Sequence, residues 1–265
     1  MRLQLFIYKN IAIHLYYSER SFMGDEIKFK NAFLYFPGLP QMIDKKFFID
    51  KVDDNSIFFS VNYLGSFLSG GKFTPENCKK TVELAIEFIK NRESKKTFDG
   101  KNISWSYDNL YLLGYSFAGN TILTSKILSN DVKSIFLFAP LLFLNKSNLK
   151  EYIKKDKLIK NFYKFNLFYL KFLRRGYGFV LKGIEKDIWD KYFLGNDTKS
   201  IIRVKDNFPN VFIFHGKQDK EINYSSSIFF SKQRYRDTEV ILIDKVGHNL
   251  EKLFLMKKII RLIQK

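Results

Sequence analysis

The chain has 265 residues, 46% of them hydrophobic, enough to bury the core of one large α/β domain or of one domain carrying an insertion. Its single cysteine, Cys78, excludes an internal disulfide and a set of thiolate metal ligands. Lys and Arg outnumber Asp and Glu by 45 to 27, a formal charge of +18. Codon bias toward lysine, an anionic membrane surface or acidic substrate, and nucleic acid compete to explain it.

The first segment, "MRLQLFIYKNIAIHLYYSER", alternates like two short strands around Lys9-Asn10. It lacks the uninterrupted apolar core and small-residue cleavage site of a secretory signal. No run reaches the roughly 18 apolar residues of a membrane span, so a soluble cytoplasmic protein is expected. "AFLYF" (Ala32–Phe36) and "SIFFSV" (Ser56–Val61) read as buried strands that stop at turn signals. Thr74-Pro75 opens a helix, with Thr as cap and Pro in the first turn, and Val82, Leu84, Ala85, Phe88 and Ile89 follow at helical spacing. "NLYLLG" (Asn109–Gly114), "VKSIFLFAP" (Val132–Pro140), "NVFIFHG" (Asn210–Gly216) and "EVILID" (Glu239–Asp244) read as further buried strands. Thr121–Leu128 and Leu250–Ile263 suit helices. Continuous apolar strands alternating with helices predict an α/β fold, a mostly parallel central sheet covered on both faces. The rhythm breaks over 141–200, which is helical in tendency, basic and crowded with Phe and Tyr. This predicts a core of 1–140 and 201–265 interrupted by a helical insertion.

Unusual residues gather at predicted strand ends, where open parallel sheets bind their ligands. "YFPGLP" follows Ala32–Phe36, Ser116 follows "NLYLLG", Asp219 lies in "FHGKQD" after Asn210–Phe214, and His248 lies in "DKVGHN" after the last strand. Their chemistry is mutually complementary. A serine hydroxyl needs a general base near neutral pH, and histidine suits that task. A carboxylate on the other ring nitrogen fixes the tautomer and stabilises the imidazolium. An oxyanion needs N–H donors, which the backbone of Phe117 and of Leu39 would supply.

These residues resemble a known superfamily. "GYSFAG" is similar to the nucleophile elbow of the α/β-hydrolases, and Ser116, Asp219 and His248 follow that superfamily's order of nucleophile, acid and histidine. The insertion sits where those enzymes often carry a cap, and "NYLGSFLSGGKFT" resembles the Gly/Ser-rich loop of the esterase and peptidase-like branches. The chain departs from the pattern in two places. Ala118 stands where the elbow usually has Gly, with Gly119 one later, and the oxyanion loop reads Phe36-Pro37-Gly38 rather than His-Gly. The resemblance implies a serine hydrolase acting on an ester, thioester or related acyl bond, with a helical cap and no cofactor or metal. An acyltransferase using the same triad and a non-catalytic binding protein on the same fold remain as alternatives. Peptidase activity is disfavoured because no propeller-like domain accompanies the chain.

Competing residues have simpler readings. His14 in an early strand and His215 before a turn glycine are expected to be structural. Asp206, Asp237 and Asp244 rival Asp219, but Asp206 precedes its strand and Asp244 lies very near His248 in sequence. The expected partner is a small acyl substrate with an apolar or aromatic part. Nucleic acid is not expected, since no helix-turn-helix, zinc-finger, Gly-rich phosphate-loop or RNA-binding signature occurs. The basic, aromatic stretch from Lys154 to Lys182 reads first as a solvated face, with docking on an anionic membrane as its alternative. The sequence leaves the oligomeric state open.

Overall fold

The computed structural model describes residues 2–17, 26–38, 55–127, 130–142, 181–194, 208–234 and 238–250. Within them lie β1 (Arg2–Tyr8), β2 (Ile11–Tyr17), β3 (Glu26–Phe36), β4 (Ser56–Asn62), α1 (Pro75–Lys90), β5 (Glu93–Lys95), β6 (Asn102–Tyr115) and α2 (Ala118–Thr124). Then follow β7 (Ser134–Phe138), α3 (Lys186–Leu194), β8 (Asn210–Gly216), α4 (Ser225–Arg234) and β9 (Thr238–Ile243). The strands form one sheet in the order β1-β2-β4-β3-β6-β7-β8-β9, with β5 paired to β6. The contacts from β4 through β3, β6, β7 and β8 to β9 are all parallel. β1, β2 and β4 meet antiparallel, as do β5 and β6. The expected mostly parallel sheet is therefore present, with an antiparallel margin.

Local chemistry accounts for the elements. Lys9 and Asn10 take positive φ, 43° and 69°, between β1 and β2, as a tight hairpin whose twist matches its strands requires. The Thr74 side chain accepts from Asn77 N at the start of α1, and Pro75 opens the helix where its missing N–H costs nothing. The buried face of α1 carries Val82, Ala85, Phe88 and Ile89 onto the sheet. There Phe88 meets Phe6 and Trp105 at ring-centroid distances of 5.4 and 5.3 Å. The other face of the sheet buries Phe33, Tyr35, Phe58, Tyr111, Leu113 and Phe138 in a second aromatic core. Burial on both faces explains why the central strands read as continuous apolar runs.

Register brings the strand ends together. Phe36 lies opposite Gly114, Tyr115 opposite Phe138, Phe138 opposite Phe214, and Gly216 opposite Ile243. The carboxyl ends of β3, β6, β7, β8 and β9 thus share one edge of the sheet.

Some boundaries differ from the expectation. β6 starts at Asn102 rather than near Asn109, because Ile103 and Trp105 are buried while Ser104 and Ser106 are half-buried. That is an alternating half, which a search for continuous apolar runs passes over. α2 spans Ala118–Thr124, not Thr121–Leu128, because Phe117 is already in the helical region and Ser125 is extended. Of the insertion, residues 143–180 and 195–200 lie outside the described residues, as does the expected helix after Leu250. The described remainder includes α3, whose Trp189 donates from Nε1 to Phe73 O at 3.0 Å and stacks on the Phe73 ring at 5.0 Å. Among the described residues no helix is long and apolar enough to cross a membrane.

Candidate active site

β6 delivers Ser116 at the end of the sheet in a strained conformation. Its φ is 52°, a region that residues with a side chain rarely occupy and that recurs at functional turns. The turn is pinned by its own backbone: Ser116 N donates to Phe138 O at 2.9 Å, and Ser116 O accepts from Leu141 N at 2.8 Å and Gly119 N at 3.0 Å. Small residues let β6, α2 and the segment after β7 approach. A Cβ on Gly114 would sit 2.6 Å from Ile122 Cδ1, and one on Gly119 would sit 2.4 Å from Pro140 Cβ. Ala118, two after the serine, is fully buried, and its Cβ would lie 3.4 Å from a Cβ on Gly114. Alanine fits where the elbow usually has glycine, and the obligatory glycine falls one position later.

β8 and the segment after β9 bring the other side chains to the serine. Asp219 N donates to Gly216 O at 3.2 Å, and Gln218 N donates to Val246 O at 2.9 Å, joining the turn after β8 to the approach to His248. Gly216 is needed for that approach, since a Cβ there would lie 2.3 Å from Val246 O. His248 Nδ1 lies 2.8 Å from Asp219 Oδ2, and His248 Nε2 lies 3.2 Å from Ser116 Oγ. Tyr115 flanks the histidine. Its hydroxyl donates to His248 O at 3.3 Å, and the two rings sit 5.2 Å apart.

The Asp219 carboxylate is fully provided with donors. Oδ1 accepts from Glu221 N and Ile222 N, both at 2.8 Å, and Oδ2 faces His248 Nδ1 and His215 Nε2, the latter at 3.2 Å. Burial, the largest influence, acts to raise this carboxyl. The hydrogen bonds from His215 and His248, the charge of His248 and the Ile222 N–H together outweigh burial and hold it well below the usual carboxylate range. Asp219 is therefore ionised at neutral pH.

Of the two expected oxyanion groups, Phe117 is described and Leu39 is not. Phe117 is the cap residue of α2, so its amide belongs to the helix start, where N–H groups lack intrahelical partners. Its side chain is buried against Tyr63 and Trp189, each at 5.9 Å. Leu39 lies outside the described residues. Its neighbour Gly38 is described, and a Cβ there would meet Tyr115 Cδ1 at 2.9 Å and Ser116 Cβ at 3.2 Å, so this loop runs directly against the serine. The Tyr63 hydroxyl donates to Pro37 O at 3.1 Å. Burial, helped by nearby Cys78 and Tyr192, pushes the Tyr63 phenol well up, so it stays a protonated donor.

The rival groups are placed elsewhere. Asp244 is exposed and pairs with Lys217 at 2.8 Å. His14, on β2, has its Nε2 3.4 Å from Oδ1 of Asn62 on β4. Asp206 and Asp237 lie outside the described residues. His215, expected to be structural, is buried and also touches the same carboxylate oxygen as His248. The signal available in the sequence was its spacing, four residues before Asp219 across a turn. Glu221 was not singled out, yet its Oε2 lies 3.7 Å from His248 Nε2. Among the described residues no group of three or more His, Cys, Asp or Glu side chains could hold a metal ion.

No family model matches the chain, and no curated protein is significantly similar to it in sequence. Solved structures are similar in fold. Alpha/beta hydrolase domain-containing protein 10 from mouse superposes with a TM-score of 0.61 at 13% identity, covering 100% of this chain and 99% of that one. Est1E from Butyrivibrio proteoclasticus gives 0.56 at 13% identity, covering 99% of this chain and 100% of that one. A monoacylglycerol lipase from Paleococcus ferrophilus gives 0.53 at 13% identity, covering 89% and 94%. At such identities the similarity is one of fold, and the fold is that of the α/β-hydrolases.

Proposed function

We propose that this chain, with its α/β-hydrolase fold, is a serine hydrolase that cleaves an ester, thioester or related acyl bond. The observation that carries the reading is the unbroken line from Asp219 through His248 to the Oγ of a strained Ser116, with contacts of 2.8 and 3.2 Å. In this reading His248 Nε2 takes the proton of Ser116 Oγ as that oxygen attacks the substrate carbonyl carbon. Asp219, already ionised, stabilises the imidazolium. The tetrahedral oxyanion meets the amides of Phe117 and Leu39. Collapse breaks the bond to the leaving group, which takes the proton from His248, and leaves Ser116 acylated. Water then gives its proton to His248, attacks the acyl carbon and releases the acid, returning the proton to Ser116 Oγ.

The described part of the segment 141–200, which holds α3, is read as part of a cap over this edge of the sheet. The closeness of Trp189 to Phe117 supports that position. The wealth of Phe and Tyr in the segment 141–200 favours an acyl group with an apolar or aromatic part. The name of the lipase among the similar folds agrees with an acyl substrate.

The test is steady-state hydrolysis of aryl esters of graded acyl length. The parent is expected to turn them over, and Ser116→Ala to lose about 10⁴- to 10⁶-fold in kcat with its fold intact. A purified, folded Ser116→Ala protein with parental activity would overturn the assignment.

A further inference from the structure

His215 is fully buried at the end of β8, and the mechanism above gives it no task. A buried histidine must satisfy both ring nitrogens. Here Nε2 lies 2.9 Å from Ile222 O and 3.2 Å from Asp219 Oδ2, and Nδ1 lies 2.7 Å from Ser227 Oγ on α4. A carbonyl oxygen can only accept, so Nε2 carries a proton, shared between Ile222 O and the carboxylate. Ser227, also fully buried, can then donate its hydroxyl proton to Nδ1. The contacts form one line: Ser227, His215, Asp219, His248, Ser116.

We propose that His215 is a positioning residue: a neutral imidazole, protonated on Nε2 and locked by Ser227, that fixes the direction of Asp219 Oδ2 toward His248. The inference rests on the triad reading above and adds a residue to it. Two backbone amides hold Oδ1 but leave the carboxylate able to pivot about that oxygen. A donor on Oδ2 removes the pivot, and its position opposite the catalytic histidine leaves Oδ2 one productive orientation. The same donor withdraws electron density from Oδ2, so Asp219 holds the protonated form of His248 less tightly than it would alone. Among the described residues, the groups facing His248 also include Glu221, 3.7 Å from Nε2, the Tyr115 hydroxyl on its carbonyl, and Ser116.

The variants that separate this role from space-filling are His215→Gln, whose amide nitrogen can reach the position of Nε2, and His215→Leu, which fills the space without a donor. The readouts are the rate at which a fluorophosphonate acylates Ser116, its pH dependence, and imidazole NMR of the full chain. His215→Leu is expected to slow acylation about 10- to 100-fold, the range seen when an outer hydrogen-bond partner of a metal-ligating side chain is lost. Its acid limb should move to higher pH, because an unattenuated Asp219 favours protonated His248. His215→Gln should recover most of the rate and return the limb toward the parent. Leu and Gln variants slowed equally, both with the parental limb, would overturn the proposal, as would a His215→Leu protein that reacts like the parent.

The spectrum of the unsubstituted chain tests the proposal even if the leucine variant does not fold, and even if the chain proves unreactive. The ¹⁵N shifts should show His215 protonated on Nε2 and bare on Nδ1 at neutral pH, and Asp219→Asn should displace the Nε2–H resonance. A proton found on Nδ1 and absent from Nε2, or a resonance indifferent to Asp219→Asn, would overturn it. An unreactive parent with the expected His215 resonances would instead mark a failure of the serine hydrolase reading.

Discussion

Ser116 holds a φ of 52°, which costs a residue with a Cβ of order 1 kcal/mol or more and costs glycine almost nothing. Ser116→Gly is therefore expected to melt at a higher temperature than Ser116→Ala, while both are inactive; thermal unfolding of the two side by side checks this, and equal midpoints would argue that the turn is unstrained. Asp219 carries the second consequence at this scale. Its carboxyl is held below the usual range in the folded chain, whereas in the unfolded chain it returns to about 3.9. The unfolded state then binds the proton first, so the stabilising contribution is complete above roughly pH 5 and fades as pH falls through and below the ordinary carboxylate range. Asp219→Asn, which breaks charge-assisted hydrogen bonds, should cost about 1–3 kcal/mol at neutral pH, and denaturant titrations should find that cost shrinking toward pH 3. A cost that is the same at both pH values would contradict the ionised, multiply bonded state of this side chain.

The turn from β6 into α2 depends on backbone proximity. A Cβ on Gly119 would meet the rigid ring of Pro140 at 2.4 Å and its Cα at 3.1 Å, so the segment after β7 would have to move. That segment also bonds Ser116 O through Leu141 N. Gly119→Ala is expected to destabilise the chain by about 1–3 kcal/mol and to lower kcat by displacing the serine. A calorimetric midpoint and a rate both unchanged from the parent would refute the packing argument. This requirement was half legible in the sequence. The glycines around "GYSFAG" marked a tight turn, but which of Ala118 and Gly119 bore the constraint depended on Pro140, a contact that follows from the parallel register of β6 and β7. The amphipathic first half of β6 and its partner β5 were missed for a related reason. The first half of β6 buries only alternate side chains and β5 buries none, so neither leaves the continuous apolar run of a strand buried on both faces.

Across the whole molecule, the alternation of apolar strands and helices was enough to anticipate the sheet, because a strand covered on both faces leaves a continuous apolar signature. The site was legible as an order of residues at strand ends: Ser116, Asp219 and His248 meet because Tyr115, Phe138, Gly216 and Ile243 finish at one edge of the sheet. The role of His215 was not legible, since its partners Ser227 and Ile222 carry no motif and come to it only when α4 packs beside β8. The proposed function requires that this arrangement activate one serine, Ser116. It is tested most directly by incubating the folded chain with a fluorophosphonate and locating the adduct by mass spectrometry. The expected result is a single covalent adduct on Ser116 that disappears in Ser116→Ala and forms far more slowly in His248→Ala. A folded parent that takes up no label, or one labelled equally with and without Ser116, would contradict it.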